Sequence, residues 1–257
     1  MELLPSRKLA LIVEYEGTNY KGFQFQLGVP TVQGDIERAL EKLTGERIRI
    51  VGAGRTDTGV HARGQVVSFS SFSTLSLEAL TGALNFYLRP DIAVKAASEV
   101  ENSFNARRDA ISREYRYQIF NGPMPSPLMQ RYSYFVPHTL DTDAMNEVCR
   151  CLIGGHDFAS FTGPTSRRTV REVYKAEVSR EGESVLFDIV ANSFLRKQVR
   201  CTVGAMVRVG LGRLTVEEFK EIMQAKAPGL AAPAAPPYGL CLMKVNYPEG
   251  KFSIKGS

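Results

Sequence analysis

Histidine is scarce in this chain: three residues, at 61, 138 and 156, and no two share a spacing used in metal ligation. The four cysteines, Cys149, Cys151, Cys201 and Cys241, form no C-x-x-C pair. That pattern argues against a structural zinc, and reduced thiols in a cytoplasmic protein are expected. No stretch of ~20 apolar residues is present to span a membrane. The N-terminal MELLPSRKLALIVEYEG has too short an apolar run for a signal peptide. Two common phosphate loops are also missing. A G-x-G-x-x-G fingerprint begun at Gly52 needs glycine where Asp57 stands, and a P-loop over Gly54 and Gly59 needs lysine where Val60 stands.

With 257 residues, 44% of them hydrophobic and 23% charged, the composition suits an ordinary globular protein of one to two domains. A chain of this length buries roughly 70% of its unfolded surface, so it needs no disulfide or metal to hold together. The net charge of +5 is modest. It matters where arginines gather: Arg107 with Arg108, Arg113 with Arg116, Arg167 and Arg168 with Arg171, and Arg196 and Lys197 with Arg200. Such groups suit a polyanion bound through its phosphates.

Residues 51–69, VGAGRTDTGVHARGQVVSF, are the most informative stretch. A strand pattern over 47–50 runs into Gly52, Gly54 and Gly59, and a second strand-like run leaves over 65–69. Glycine at that density permits left-handed or closely approached backbone. The loop holds Asp57, with Arg55 two residues before it and His61 four after. Spacing alone favours a turn cap for Asp57, since Asp beside Thr and Gly is ordinary turn chemistry.

Along the chain, residues 8–15 alternate as a half-buried strand, and 17–26 read as a loop. Thr31 caps a helix with Asp35 in its first turn, Val32, Ile36, Ala39, Leu40 and Leu43 at helical spacing, and Gly45 at its end. Ser76 caps a second helix stopped by Pro90, and 91–97 returns as a strand. Residues 113–120 alternate, with Tyr115, Tyr117 and Ile119 on one face and Arg116 and Gln118 on the other. A helix is predicted over 143–153 with Met145, Val148, Cys149 and Leu152 inward. A hairpin turns at 181–183. A long helix is predicted over 194–209, aligning Arg196, Arg200, Gly204 and Arg208 at i+4. Thr215 and Glu218 form a capping box, 225–237 is an Ala/Pro-rich connection, and 239–245 is a closing strand. This order is an α+β layer architecture.

The segment GRTDTGVHA closely resembles the signature of the tRNA pseudouridine synthases that act on the anticodon arm. EYEGTNYKGFQ, TVQGDIE, FNARRDAISREYRY, GGHDFASF, ANSFLRKQVR, VGAMVRVG and YGLCLMKV resemble the same family in its order, so the resemblance covers nearly the whole chain. Two departures stand out: Phe23 where the family often has tryptophan, and Asn105 where it has histidine. The resemblance implies a pseudouridine synthase fold, α+β, with two RRM-like or ferredoxin-like halves. These are residues 1–102 with the catalytic Asp loop and residues 103–257 with the basic helix, their antiparallel sheets joined around a central basic cleft. It also implies isomerisation of uridine to pseudouridine in the anticodon stem-loop of tRNA (positions 38–40), with base flipping, no cofactor and a homodimer.

By the same resemblance Asp57 is the nucleophile, attacking either the base or C1′. Arg200 supplies the guanidinium that keeps it ionised. Tyr115 stacks on the base and takes part in removing the C5 proton. Arg55 fills the space the flipped base leaves. Arg55, Tyr115, Arg107 and Arg196 are the RNA-binding candidates, and arginines of both halves are expected to form one basic surface. On sequence alone Tyr115 reads more readily as a core aromatic, and Arg200 equally as a solvated helix position. His61 reads as a histidine satisfied by backbone, and Asp157 as a cap on the residues after Gly155. Alternatives are a non-catalytic RNA-binding protein, and a hydrolase pairing Asp57 with Asp157.

Overall fold

A computed structural model describes residues 6–165 and 168–252; Arg167, in one expected basic cluster, lies outside them. The chain divides into two compact units. The first runs to Ile111 and resumes at Leu242; the second is Ser112–Cys241.

In the first unit the alternation over 8–15 becomes β1 (Arg7–Tyr15), with Leu9, Leu11, Val13 and Tyr15 buried. Helix α1 (Val32–Thr44) starts at Thr31, whose Oγ1 accepts the Gly34 N–H at 3.3 Å. It ends at Gly45, left-handed at φ 74° with its N–H on Glu41 O. The strand expected over 47–50 does not form; only β2 (Val51–Gly52) pairs. Helix α1 explains the difference. Glu41 and Glu37 draw off Arg47 and Arg49 at 3.1 and 2.9 Å, and Glu37 Oε1 accepts the Ile50 N–H at 3.1 Å. A carboxylate has taken the donor a neighbouring strand would use.

Strand β3 (His61–Ser71) is longer than its sequence pattern, and helix α2 (Leu77–Tyr87) begins at Ser76 as expected. Strand β4 (Ile92–Val100) follows. β1 lies between β3 and β4, antiparallel to both, and β2 pairs with β3. The β1–β3 register slips between Val13, opposite Gln65, and Tyr15, opposite Ala62. This bulge sets Tyr15 beside the loop that precedes β3.

The second unit opens with β5 (Ser112–Phe120), whose Tyr115, Tyr117 and Ile119 are buried while Arg116 and Gln118 are partly exposed. After the short β6 (Tyr134–Phe135), Asp141 caps α3 (Thr142–Leu152), which buries the expected Met145, Val148, Cys149 and Leu152. Gly154 and Gly155 do more than end that helix, for they start β7 (Gly154–Asp157). The hairpin is β8 (Val170–Glu181) and β9 (Ser184–Ala191), with Gly182 at φ 59° in its turn. The strand order is β5-β9-β8-β7, antiparallel throughout. Helix α4 (Gln198–Gly210) starts later than predicted, because Lys197 is left-handed at φ 62° and Gln198 Oε1 accepts the Leu195 N–H. Arg196 therefore stands outside the arginine row. Helix α5 (Val216–Ala225) has the full Thr215–Glu218 capping box and buries Phe219 against Phe161.

The last strand, β10 (Leu240–Asn246), leaves the second unit and from Leu242 lies beside β3 of the first. Its approach depends on Gly64, where a Cβ would stand 2.4 Å from Met243 O. Gly82, exposed in α2, has nothing within 4 Å of such a Cβ. Gly64→Ala should therefore destabilise by about 1–3 kcal/mol. Gly82→Ala should stabilise by about 0.5–1 kcal/mol through helix propensity alone. Urea unfolding of the two variants checks the opposite signs.

Candidate active site

Neutral partners fix the backbone of the loop between β2 and β3 at several points. Ala53 N–H donates to Val66 O at 2.8 Å. Gln65, wholly buried on β3, meets Gly54 twice: Oε1 accepts its N–H at 3.3 Å and Nε2 donates to its carbonyl at 3.0 Å. Tyr15 Oη lies 2.8 Å from Thr56 Oγ1 and 3.4 Å from Gln65 Nε2. A buried amide that satisfies both polar groups of one glycine leaves the loop no cheap alternative conformation, since each orphaned group costs about 1–3 kcal/mol.

The opposite side of the loop is gripped by the segment between β1 and α1. Phe23 N–H donates to Thr56 O at 3.2 Å, and Gly59 N–H to Tyr20 O at 3.4 Å. Gly22 has φ +96°, and a Cβ on it would be 2.8 Å from Thr56 O. A Cβ on Gly17 would be 2.0 Å from Val60 O. The two chains thus meet backbone to backbone. Within that grip Val60 N–H closes a turn on Asp57 O at 3.1 Å. Thr56 is buried, Asp57 is half-buried, and Arg55 and Thr58 are exposed. The carboxylate of Asp57 therefore sits on an immobilised backbone at the edge of solvent.

The gripping segment has its own anchor. Tyr20 Oη lies 2.6 Å from Asp91 Oδ1 and 3.0 Å from Asp35 Oδ2. Burial, then the hydrogen bond to Asp91, pushes the phenol far above its ordinary range, so it remains a donor. Asp35 in turn pairs with Arg38 and lies 3.6 Å from Arg89. Phe23 is 2% exposed and fits over Gly52, where a Cβ would be 2.3 Å from its ring. It is a packing residue beneath the loop rather than an exposed aromatic face. His61 Nδ1 accepts the Gly17 N–H at 3.0 Å, the backbone role its sequence suggests. Asn105 caps a turn, its Oδ1 accepting the N–H groups of Arg107 and Arg108 at 3.1 and 3.0 Å. Arg107 and Arg108 are exposed.

The second unit holds the other candidates. Tyr115 is 8% exposed on β5 and meets Phe194 edge-on, centroids 5.2 Å apart. Half-buried Arg200 on α4 donates from Nε to Ala235 O at 2.8 Å. Arg196 is exposed, and its carbonyl accepts from Thr162 Oγ1 at 3.0 Å. Arg113 and Arg116 do not cluster, because they lie on opposite faces of β5. Arg113 donates to Asn192 O at 2.8 Å, while Arg116 forms a two-point pair with Asp188 at 2.8 and 2.9 Å. Asp157 Oδ1 accepts the Ala159 N–H at 3.0 Å, the expected cap. Asp57 and Asp157 belong to different units.

Sequence reasoning did not single out Tyr15, Gln65 or Tyr20. A glutamine inside the apolar run of β3 was the available signal, because a buried amide must find partners. Gln65→Leu would leave both polar groups of Gly54 unpaired. Amide exchange at Gly54 and Gly59 should then accelerate ~10–100-fold, equivalent to about 1–3 kcal/mol, while the amides of β4 keep their protection. Exchange followed by mass spectrometry or NMR checks it.

A family model described as tRNA pseudouridine synthase matches residues 11–108 and 148–248. The chain is 45% identical over 248 residues to tRNA pseudouridine synthase A of Roseiflexus sp. (strain RS-1), covering 95% of this chain and 92% of that one. It is 43% identical over 243 residues to tRNA pseudouridine synthase A of Geobacter sulfurreducens, covering 94% of this chain and 100% of that one. A match of this extent, over both units and including residues 53–60, means that the chain belongs to the tRNA pseudouridine synthase family.

Proposed function

We propose that this protein isomerises uridine to pseudouridine in the anticodon stem-loop of tRNA, with Asp57 as nucleophile. The N1–C1′ bond breaks, the uracil turns, and C5 bonds to C1′. The C5 proton leaves and N1 takes one up, so the product is an isomer. The guanidinium of Arg200 balances the negative charge of Asp57. Tyr115 stacks on the base and takes part in removing the C5 proton. Arg55 occupies the space left by the flipped base, and Arg107 and Arg196 contact the RNA backbone. The reaction draws on no cofactor, and the protein acts as a homodimer.

The observation that supports this reading best is Asp57 itself. It is a half-buried carboxylate on a loop fixed from both sides, at the position that matches the family's signature. A protein that merely binds RNA has no need of such a loop.

The test is tritium release from unmodified tRNA carrying 5-tritiated uridine. The parent protein should release tritium. Asp57→Asn should lose at least ~10⁴-fold in rate, roughly 5.5 kcal/mol of barrier, while still binding tRNA. Release by both proteins would remove Asp57 from its role. Release by neither, despite tight binding to several unmodified tRNAs, would favour the RNA-binding alternative. Affinity for tRNA should also fall steeply with salt, and Arg107→Ala should reduce the slope of log K against log salt by about one. Titrations across a salt series check this.

A further inference from the structure

Gly204 stands in the i+4 row with Arg200 and Arg208, where a phosphate-binding helix face has no use for glycine. A Cβ there would lie 2.2 Å from Pro233 O and 3.3 Å from Ala235 N. The Ala/Pro-rich segment 231–237 therefore runs directly over the middle of the row, one helical turn beyond Arg200. Two residues past Pro233, Ala235 bonds Arg200 at both ends. Its N–H donates to Arg200 O at 2.9 Å, and its carbonyl accepts from Arg200 Nε at 2.8 Å.

The segment is itself pinned on either side. Ala231 N–H donates to Ser160 O at 3.0 Å, and Tyr117 Oη donates to Pro236 O at 2.8 Å. Tyr117 is wholly buried, and burial keeps its phenol protonated, so this donor does not come and go. Pro233, Pro236 and Pro237 hold φ and offer no N–H. Small Ala231 and Ala235, both buried, let the chain lie close to α4. Pro233 O is thus fixed over Gly204, and Ala235 is fixed over Arg200.

We propose that segment 231–237 is a strap that positions Arg200 for the reaction. Seated in the notch at Gly204 and tied to Tyr117, it presents the Ala235 carbonyl to Nε and so orients the guanidinium. With Nε engaged by the strap, pairing of the guanidinium with a carboxylate falls to Nη1 and Nη2. Ala235, Gly204 and Tyr117 act through Arg200 and are positioning residues. The inference rests on the role proposed above for Arg200.

A double-mutant cycle on steady-state tritium release tests it. Gly204→Ala should lower kcat about 10-fold or more while KM for tRNA changes less than ~3-fold. Tyr117→Phe, which removes only the hydroxyl anchor, should act in the same direction by roughly 3-fold. In an Arg200→Lys background, which has no Nε to hold, both effects should shrink below about 2-fold. Equal losses in the two backgrounds would show the strap to be scaffolding and overturn the proposal. If Arg200→Lys alone keeps the parent kcat, the role of Arg200 fails, a result distinct from failure of the strap. Should Gly204→Ala not fold, as judged by near-ultraviolet circular dichroism, the Tyr117→Phe arm completes the cycle.

Discussion

The close passage of two backbones, 17–23 against 56–60, is the constraint on which the first unit depends. Peptide planes can approach this tightly only where one partner lacks a Cβ, and Gly17 and Gly22 supply that absence at both ends of the passage. Once the two chains touch, the β1–β3 bulge, the burial of Phe23 over Gly52 and the placement of Tyr15 on Thr56 are mutually required. Moving any one of them would part the others.

The forces around the loop are arranged by type. Its inner contacts use amide, hydroxyl and peptide groups, whose individual contributions are about 1 kcal/mol but whose loss is more costly in a buried setting. Charged pairs stand one layer out, at Asp35 with Arg38 and Arg89 and along α1 with Arg47 and Arg49. The exposed pairs among these contribute little to stability.

Much of this could be read beforehand wherever the governing physics is local. Thr31, Ser76 and the Thr215–Glu218 box cap their helices because a hydroxyl reaches its own N–H groups within three residues. The inward stripe of α3 and the faces of β5 follow from periodicity alone. Where distant groups intervene, the reading fails. Glu37 takes the Ile50 N–H and dissolves the expected strand, and Gln198 ties off Leu195 so that α4 begins late. At the candidate site, Asp57 and its signature were legible as a resemblance. The clamp of Gln65 was not, since nothing near residue 65 announces that its partner is Gly54.

The order in which the chain is made gives the contact at Gly64 another meaning. The loop of Asp57 belongs to a unit whose strand beside β3 comes from residues beyond 242, after the whole of the second unit. On a ribosome adding roughly 5–20 residues per second, that strand emerges on the order of ten seconds after the rest of its sheet. Until then β3, held by β1 on one side and by β2 at Val67 and Ser68 on the other, presents an open edge around Gly64, and the Asp57 loop hangs from an incomplete sheet. Maturation of the first unit is thus timed by synthesis of the second, so a nascent chain carries the Asp57 loop long before it has the complete sheet to hold it.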